Sequence, residues 1–158
     1  MTRINSAICP HLLTDEHLLA EHREIKRLPD AFLKSLTSGA LSRVPAKFVL
    51  GPGHVTFFLN KQLFLYKRYI NIYSECRHRG FNVENYETNW LNLKQQMQNL
   101  NCWNDYVPTL EERQLLTERI TERILNSSKR YFRYKSNILD KANAIKLLKN
   151  YEHFRTRK

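Results

Sequence analysis

Four side chains that could do chemistry lie close together near the start of the sequence. His17, Arg23, Glu24 and Arg27 alternate with apolar residues in the segment TDEHLLAEHREIKR, residues 14–27. An α-helix advances about 100° per residue, so it would hold all four within an arc of roughly 120°. That face would combine two guanidinium groups with a carboxylate and an imidazole. A solvated helix face with Glu–Arg pairs at i, i+3 or i+4 has the same composition, so both interpretations stay open.

The N-terminus offers a further reactive group. A small second residue permits removal of the initiator methionine, which would leave a free α-amino group on Thr2. Such a group has a pKa of about 7.7 to 8.0, so roughly a tenth of it is neutral and nucleophilic at pH 7. Cations such as Arg3, Arg23 and Arg27 would lower that pKa further. An amine of this kind can attack C1′ of a sugar and form a Schiff base, with Glu24 as the acid/base.

Helices are the elements that must position these groups. Thr14 or Asp15 can cap a first helix whose apolar residues recur at helical spacing, and Pro29 marks its end or a kink. Thr109 and Glu112 form the T-x-x-E capping box of a later helix that runs to about residue 125. Similar patterns predict helices over 29–39, 61–80, a short stretch around 90–100, and 136–154. Because strand signals are scarce, we predict an all-α fold in a single domain, with a core around Leu65, Tyr69 and Ile72.

The positive charge is concentrated at the C-terminal end of the chain. The formal net charge is +11, and residues 119–158 hold 12 Lys and Arg against 3 Asp and Glu, a net of +9. Residues 1–118 therefore carry only +2. A polyanion is the natural partner of such a surface, because neutralised phosphates release condensed counterions. A merely solvated basic tail would have the same composition.

Several classes of site are disfavoured. Cys9, Cys76 and Cys102 are odd in number and form no CxxC pair, which argues against a disulfide framework and a zinc site. The GPG turn at 51–53 lacks the GK[ST] of a phosphate-binding loop, and no carboxylate cluster suits a metal-dependent nuclease. We expect no metal and no cofactor. No apolar run of 18 residues or signal peptide is found, so we expect no membrane association and a cytoplasmic, nucleoid-associated protein.

Several blocks of sequence, taken together and in order, resemble the endonuclease V-type pyrimidine-dimer DNA glycosylases of phages and bacteria. They are MTRIN at 1–5, HLLAEHRE at 17–24 with Arg27, FVLGPGHVTFF at 48–58, KR at 67–68, ECRHRGFN at 75–82, DYVP at 105–108 and RITERI at 119–124. The resemblance covers residues 1–134 and leaves 135–158 as a basic, helical C-terminal extension.

The resemblance implies a DNA repair enzyme that cuts the glycosidic bond of UV-type pyrimidine dimers and then cleaves the abasic site by β-elimination. Thr2 matches the amine nucleophile and Glu24 the essential carboxylate, while His17 lines the site. Five arginines match positions that hold DNA phosphates: Arg3, Arg23, Arg27, Arg119 and Arg123. The implied fold is a compact all-α domain with the N-terminal segment threaded between helices, and the implied partner is damaged double-stranded DNA. We expect a monomer that kinks the duplex and extrudes a nucleotide.

The sequence departs from the family pattern near the lesion. Where the family's C-terminal motif runs Trp-Tyr-Lys-Tyr-Tyr, residues 130–134 are Arg-Tyr-Phe-Arg-Tyr, so Arg130 and Arg133 replace aromatic residues and join Tyr131 as expected DNA contacts. An aromatic residue before the Arg-Glu pair is replaced by His22. The extension could add DNA contacts or pack as a helix on the core. Two alternatives remain open: a glycosylase/lyase for a different damaged base, and a non-catalytic basic helical DNA-binding protein.

Overall fold

The computed structural model describes residues 4–150, and residues 1–3 and 151–158 lie outside the described part. Contacts within the chain define two compact units. The first unit comprises Ile4 and residues 21–107, and the second comprises residues 5–20 and residues from 108 onwards. The first long helix begins in the second unit and ends in the first. The predicted division into residues 1–134 and 135–158 stays a prediction.

Helices dominate the described residues, which confirms the predicted all-α class. A small antiparallel hairpin is the exception, and short 3-10 turns lie at Pro10–Leu12 and Ala40–Arg43. The elements are α1 Asp15–Ile25, α2 Leu28–Ser38, α3 His54–Phe57, α4 Gln62–His78, α5 Glu87–Leu91, α6 Lys94–Asn99, α7 Leu110–Asn126, β1 Tyr131–Tyr134, β2 Asn137–Asp140 and α8 Lys141–Lys149. The predicted threading of the N-terminal segment between helices stays a prediction.

Local capping chemistry fixes several of the predicted helix boundaries. Gly39 follows α2 with φ 73°, and Gly80 lies just beyond α4 with φ 84°, left-handed conformations that glycine adopts readily. Thr109 Oγ1 accepts a hydrogen bond of 3.2 Å from the backbone N–H of Glu112, as the capping box predicts. The structure thus confirms these predictions. Each of them depends only on residues that are close in sequence.

The first predicted helix needs one correction, because Arg27 is not part of it. Helix α1 ends at Ile25, and Arg27 lies in the turn that leads into α2. Pro29 explains the break, since its ring would collide with the carbonyl of Ile25 if the helix continued. The Arg27 N–H instead donates to the Glu24 carbonyl at 3.2 Å, a shorter-range turn bond.

The core of the first unit is aromatic. The Tyr69 and Trp90 rings stack at 4.9 Å between centroids, and the Phe57 and Phe58 rings meet edge to face at 5.1 Å. Leu65, Tyr69 and Ile72, predicted from the sequence as a core, are all buried. The buried cluster of this unit includes Ile4, Ile25, Leu28, Phe32, Phe57, Phe58, Leu59, Leu65, Tyr69, Trp90, Met97 and Cys102.

The second unit is built on α7, the hairpin and α8. The helix predicted over 136–154 begins only at Lys141, because Asp140 caps it by accepting a 2.8 Å hydrogen bond from Asn143 N–H. Residues 137–140 form β2 instead. Lys141 Nζ donates to the carbonyls of Leu125 at 2.7 Å and Ser127 at 2.8 Å, which satisfies the C-terminal end of α7. Helix α8 thus packs on α7, with Ala144 and Leu148 buried.

Candidate functional site

Glu24 lies in the last turn of α1, next to two arginines. Its carboxylate Oε1 is 3.6 Å from Arg27 Nη1, and the two side chains are 23% and 67% exposed. An ion pair this open to solvent contributes about 0–1 kcal/mol, so it holds Glu24 only loosely. Arg23 is exposed beside it. The structure therefore pairs Glu24 with Arg27, with the carboxylate partly accessible and Arg23 exposed at the preceding position.

A buried ion pair anchors this end of α1 to α4. Glu21 accepts two hydrogen bonds from Arg68, of 2.9 Å from Nε and 3.0 Å from Nη2. Both side chains are almost completely removed from solvent. A two-point contact of this kind fixes orientation as well as distance. Because Glu21 is held rigidly one turn before Glu24, the backbone that carries Glu24 is fixed in place.

His22, near the end of α1, lies among tyrosines. Its ring centroid is 5.9 Å from that of Tyr69, 6.4 Å from Tyr73 and 6.0 Å from Tyr86. Burial lowers the pKa of His22, and the nearby cations Lys26 and Arg23 lower it further, against the opposing effect of a hydrogen bond to the backbone of Glu84. The imidazole is thus kept neutral as part of the packing.

His54, at the start of α3, holds the backbone of Ile4. The Ile4 N–H donates to His54 Nε2 at 3.3 Å, and His54 Nδ1 lies 2.9 Å from the carbonyl oxygen of Val49. A carbonyl only accepts, so the proton is on Nδ1, and Nε2 is the acceptor of a neutral imidazole. Thr2 and Arg3, the predicted nucleophile and one predicted phosphate contact, lie outside the described residues.

Three of the predicted DNA-contact residues belong to α1 and α7 within the second unit. His17 is half-buried, bonded through Nδ1 to Thr14 Oγ1 at 2.7 Å and stacked on Phe132 at 6.0 Å between ring centroids. Arg119 Nη2 donates to Asn5 Oδ1 at 3.3 Å, and Arg123 follows one turn later on α7. Both arginines are half-buried.

The hairpin presents the remaining predicted contacts on its outer face. Tyr131 pairs with Asp140 and Arg133 with Ile138, so these four side chains share one face of the ribbon, while Phe132 and Leu139 point the opposite way. Tyr131 and Ile138 are 62% and 72% exposed, whereas Phe132 is buried. Arg130 is exposed just before β1. The outer face therefore combines cationic, aromatic and aliphatic groups with the carboxylate of Asp140.

Main-chain and hydroxyl contacts hold this hairpin in the second unit. The backbone N–H of Arg133 donates to both carboxylate oxygens of Glu16, at 3.1 and 3.2 Å. The backbone N–H of Lys135 donates to Asp15 Oδ1 at 3.2 Å, and Tyr134 Oη donates to the His11 carbonyl at 3.0 Å. The Arg133 side chain is not needed for this anchoring.

Sequence reasoning gave no individual role to His54 and Arg68. Both stand in the blocks FVLGPGHVTFF and KR that carried the resemblance, but their partners are 50 and 47 positions away. The local signal that could have indicated a role for His54 is its position directly after a glycine turn and among phenylalanines.

Two general properties bear on the chemistry. Within residues 4–150, no three His, Cys, Asp or Glu side chains are grouped so that they could hold a metal ion. No helix in the same range has the length and apolar character needed to cross a membrane.

Comparison with protein families identifies a match to the N-terminal part of the chain. Residues 1–88 match the family model described as pyrimidine dimer DNA glycosylase. This segment is more than half of the 158 residues and contains α1 to α4 in full, with Glu24 and His54.

Proposed function

Because the chain belongs to the pyrimidine dimer DNA glycosylase family, we propose that it is a bifunctional repair enzyme acting on double-stranded DNA. It cleaves the glycosidic bond of a UV-type pyrimidine dimer and then breaks the strand at the resulting abasic site by β-elimination. The observation that carries the proposal is the partly accessible Glu24 carboxylate between Arg23 and Arg27, on a helix end fixed by Glu21 and Arg68.

In the proposed mechanism, the neutral α-amine of Thr2 attacks C1′ of the damaged nucleotide. The bond from C1′ to the base nitrogen breaks as the new C–N bond forms, and the base takes up a proton while it stays joined to the neighbouring pyrimidine of the dimer. Loss of the amine proton and opening of the sugar give a Schiff base. Glu24 is the acid/base that assists the displacement and then takes a proton from C2′, so that the 3′ phosphate leaves as an anion. Hydrolysis of the imine returns the free amine.

The two arginines beside Glu24 supply charge where the substrate is anionic. Arg23 and Arg27 are exposed, and their guanidinium groups suit bidentate contact with phosphate oxygens. They would also favour the neutral form of a nearby α-amine. Glu24 is thus proposed to operate within a cationic surface that both binds DNA and lowers the pKa of the nucleophile.

In the second unit, DNA contact is proposed for α7 and for the outer face of the hairpin. Arg119, Arg123, Arg130 and Arg133 would contact phosphates, with His17 lining the site and Tyr131 close to the lesion. Because Arg130 and Arg133 stand where the family pattern has aromatic residues, a different damaged base is the second candidate substrate. We expect the protein to bind as a monomer, one chain per lesion.

Borohydride trapping tests the proposed function. A duplex with a single abasic site, incubated with the mature protein and borohydride, should give a covalent complex that peptide mapping assigns to residue 2. A variant with one extra residue before Thr2 is the matched control, because it keeps every side chain and displaces the amine; it should lose trapping. Absence of a complex from the mature protein, or a complex formed through a lysine, would refute the mechanism.

A non-catalytic DNA-binding protein is distinguished by the same experiment. It would bind the abasic duplex and form no covalent complex with either version of the N-terminus. Cleavage of the glycosidic bond in a dimer-containing duplex, measured in parallel as free base after photoreversal of the dimer, separates a dimer glycosylase from an enzyme that acts on a different lesion.

A further inference from the structure

We propose that His54 is a positioning residue of the reaction, which fixes the backbone at Ile4 so that the N-terminal amine is directed toward the sugar. The inference rests on the proposed function, because it takes the α-amine of Thr2 as the nucleophile. His54 itself contacts no substrate in this proposal and acts only through the chain segment it holds.

The hydrogen bond to Ile4 is close enough to the amine to matter. Each residue adds at most about 3.3–3.6 Å to the reach of a chain, so in any conformation two residues span no more than roughly 7 Å. The Ile4 side chain is fully buried in the aromatic core, and its N–H is bonded to Nε2 of a buried histidine. Side chain and backbone together therefore fix Ile4, the first described residue of the chain.

The imidazole that makes this bond is itself fixed on several sides. Nδ1–H donates to the Val49 carbonyl, which selects the tautomer in which Nε2 accepts. The rings of Phe48 and Phe58 meet the imidazole edge to face, each with its centroid 5.4 Å away. A histidine held in this way has little freedom to change either its rotamer or its hydrogen-bonding role.

The glycine turn before His54 explains how the side chain reaches this place. Gly51 and Gly53 have φ of 72° and 90°, and α3 starts directly at His54. A Cβ on Gly53 would lie 3.3 Å from Val49 Cγ2, a close approach next to the carbonyl that accepts from His54. The GPG sequence thus serves to place the imidazole, and phosphate binding is not needed to account for it.

Two substitutions separate positioning from packing. His54→Phe keeps an aromatic ring against Phe48 and Phe58 but removes the acceptor for Ile4 N–H. His54→Gln loses the ring but keeps an amide oxygen that can accept from Ile4 N–H and an amide N–H that can donate to Val49. If His54 only fills the core, Phe should be tolerated better than Gln. If it positions the N-terminus, the order is reversed.

The decisive measurement is the single-turnover rate of borohydride trapping on an abasic duplex, together with DNA affinity and the melting temperature. A misplacement of about 1 Å can reduce a rate roughly 100-fold. We therefore expect His54→Phe to trap about 100-fold more slowly than the wild type, with duplex affinity changed less than about twofold. His54→Gln should trap at least about tenfold faster than His54→Phe. Amide hydrogen exchange at Ile4 should be slow in the wild type and in His54→Gln, and fast in His54→Phe.

The outcomes for the two proposals are distinct. A wild-type protein that forms no complex at residue 2 refutes the proposed function. Normal wild-type trapping combined with an unimpaired His54→Phe variant, or with Ile4 exchange that is the same in all three proteins, overturns the positioning role alone. If the melting curve shows that His54→Phe is unfolded, the wild type is compared with His54→Gln instead. A loss of trapping of about 100-fold or more in folded His54→Gln would then overturn the positioning role.

Discussion

Replacing the two arginines of the hairpin by aromatic residues should make the proposed DNA binding depend less on charge and more on the lesion. The change is the double variant Arg130→Trp, Arg133→Tyr. The fold should tolerate it, because Arg130 is exposed and the Arg133 side chain lies on the outer face of the ribbon. The two hydrogen bonds from position 133 to Glu16 come from the backbone N–H, which every substituent except proline retains.

The size of the effect follows from counterion release. Each phosphate contact adds about 0.9 to the slope of log affinity against log salt, so two arginines account for about 1.8. Between 50 and 200 mM salt, this slope corresponds to roughly a 12-fold loss of affinity that the variant should not show. A ring stacked on a base contributes about 1 to 3 kcal/mol, which is about 5-fold to 150-fold in the preference for the lesion.

The assay is equilibrium binding to undamaged and dimer-containing duplexes over a salt series. The control is Arg130→Lys, Arg133→Lys, which keeps both charges and should leave the slope close to that of the wild type. We expect the aromatic variant to bind undamaged DNA more weakly, with a slope lower by 1 to 2, and to prefer the lesion more strongly. An unchanged slope would mean that these arginines do not contact the DNA backbone, and the proposed role of the outer face would be wrong.

Two further predictions concern α1. Glu24→Gln should keep duplex affinity and reduce glycosidic-bond cleavage in a dimer-containing duplex by about 10²-fold to 10⁴-fold, since it removes an acid/base but preserves shape; near-normal turnover would exclude the proposed role. Burial lowers the pKa of His22, so the unfolded chain binds the proton more readily than the folded chain. The neutral His22 therefore contributes fully to the free energy of unfolding above about pH 6.5, and this contribution is lost as the pH falls toward the pKa of His22 in the folded chain. His22→Phe should remove that loss in urea unfolding measured between pH 7 and 5, and parallel curves for wild type and variant would contradict it.

The features that the sequence predicted correctly are those determined by neighbouring residues. Gly39, Gly80 and the Thr109–Glu112 capping box end or start helices through bonds that span only a few positions. The grouping of Arg23 with Glu24 likewise follows from the period of one helix. The prediction that Arg27 belongs to α1 was wrong, because Pro29 ends this helix at Ile25, three residues before Leu28, the last residue of the apolar pattern.

The hairpin and the role of His54 depend on long-range contacts, which helical spacing does not reveal. Ile138 and Leu139 fit an amphipathic helix as well as a strand. The strand is favoured where Glu16 and Asp15 accept backbone N–H groups from residues 133 and 135, more than 100 positions away. The bond between Ile4 and His54 is similarly remote in sequence. Local propensity cannot indicate such partners, so tertiary contacts decide both features.

The buried pair of Glu21 and Arg68 constrains how this sequence can change over generations. Removing either partner leaves a charge without its counterpart in the protein interior, at a cost of about 3 to 5 kcal/mol. Domains of this size have a total stability of about 5 to 15 kcal/mol, so each single substitution passes through a state near the limit of folding. Replacing both residues by apolar ones of similar volume need not change the stability of the fold. Whichever residue changes first, however, the intermediate with one unpaired buried charge is destabilised. Positions 21 and 68 are therefore expected to be kept together or replaced together, which makes their joint identity a useful criterion when relatives of this chain are compared.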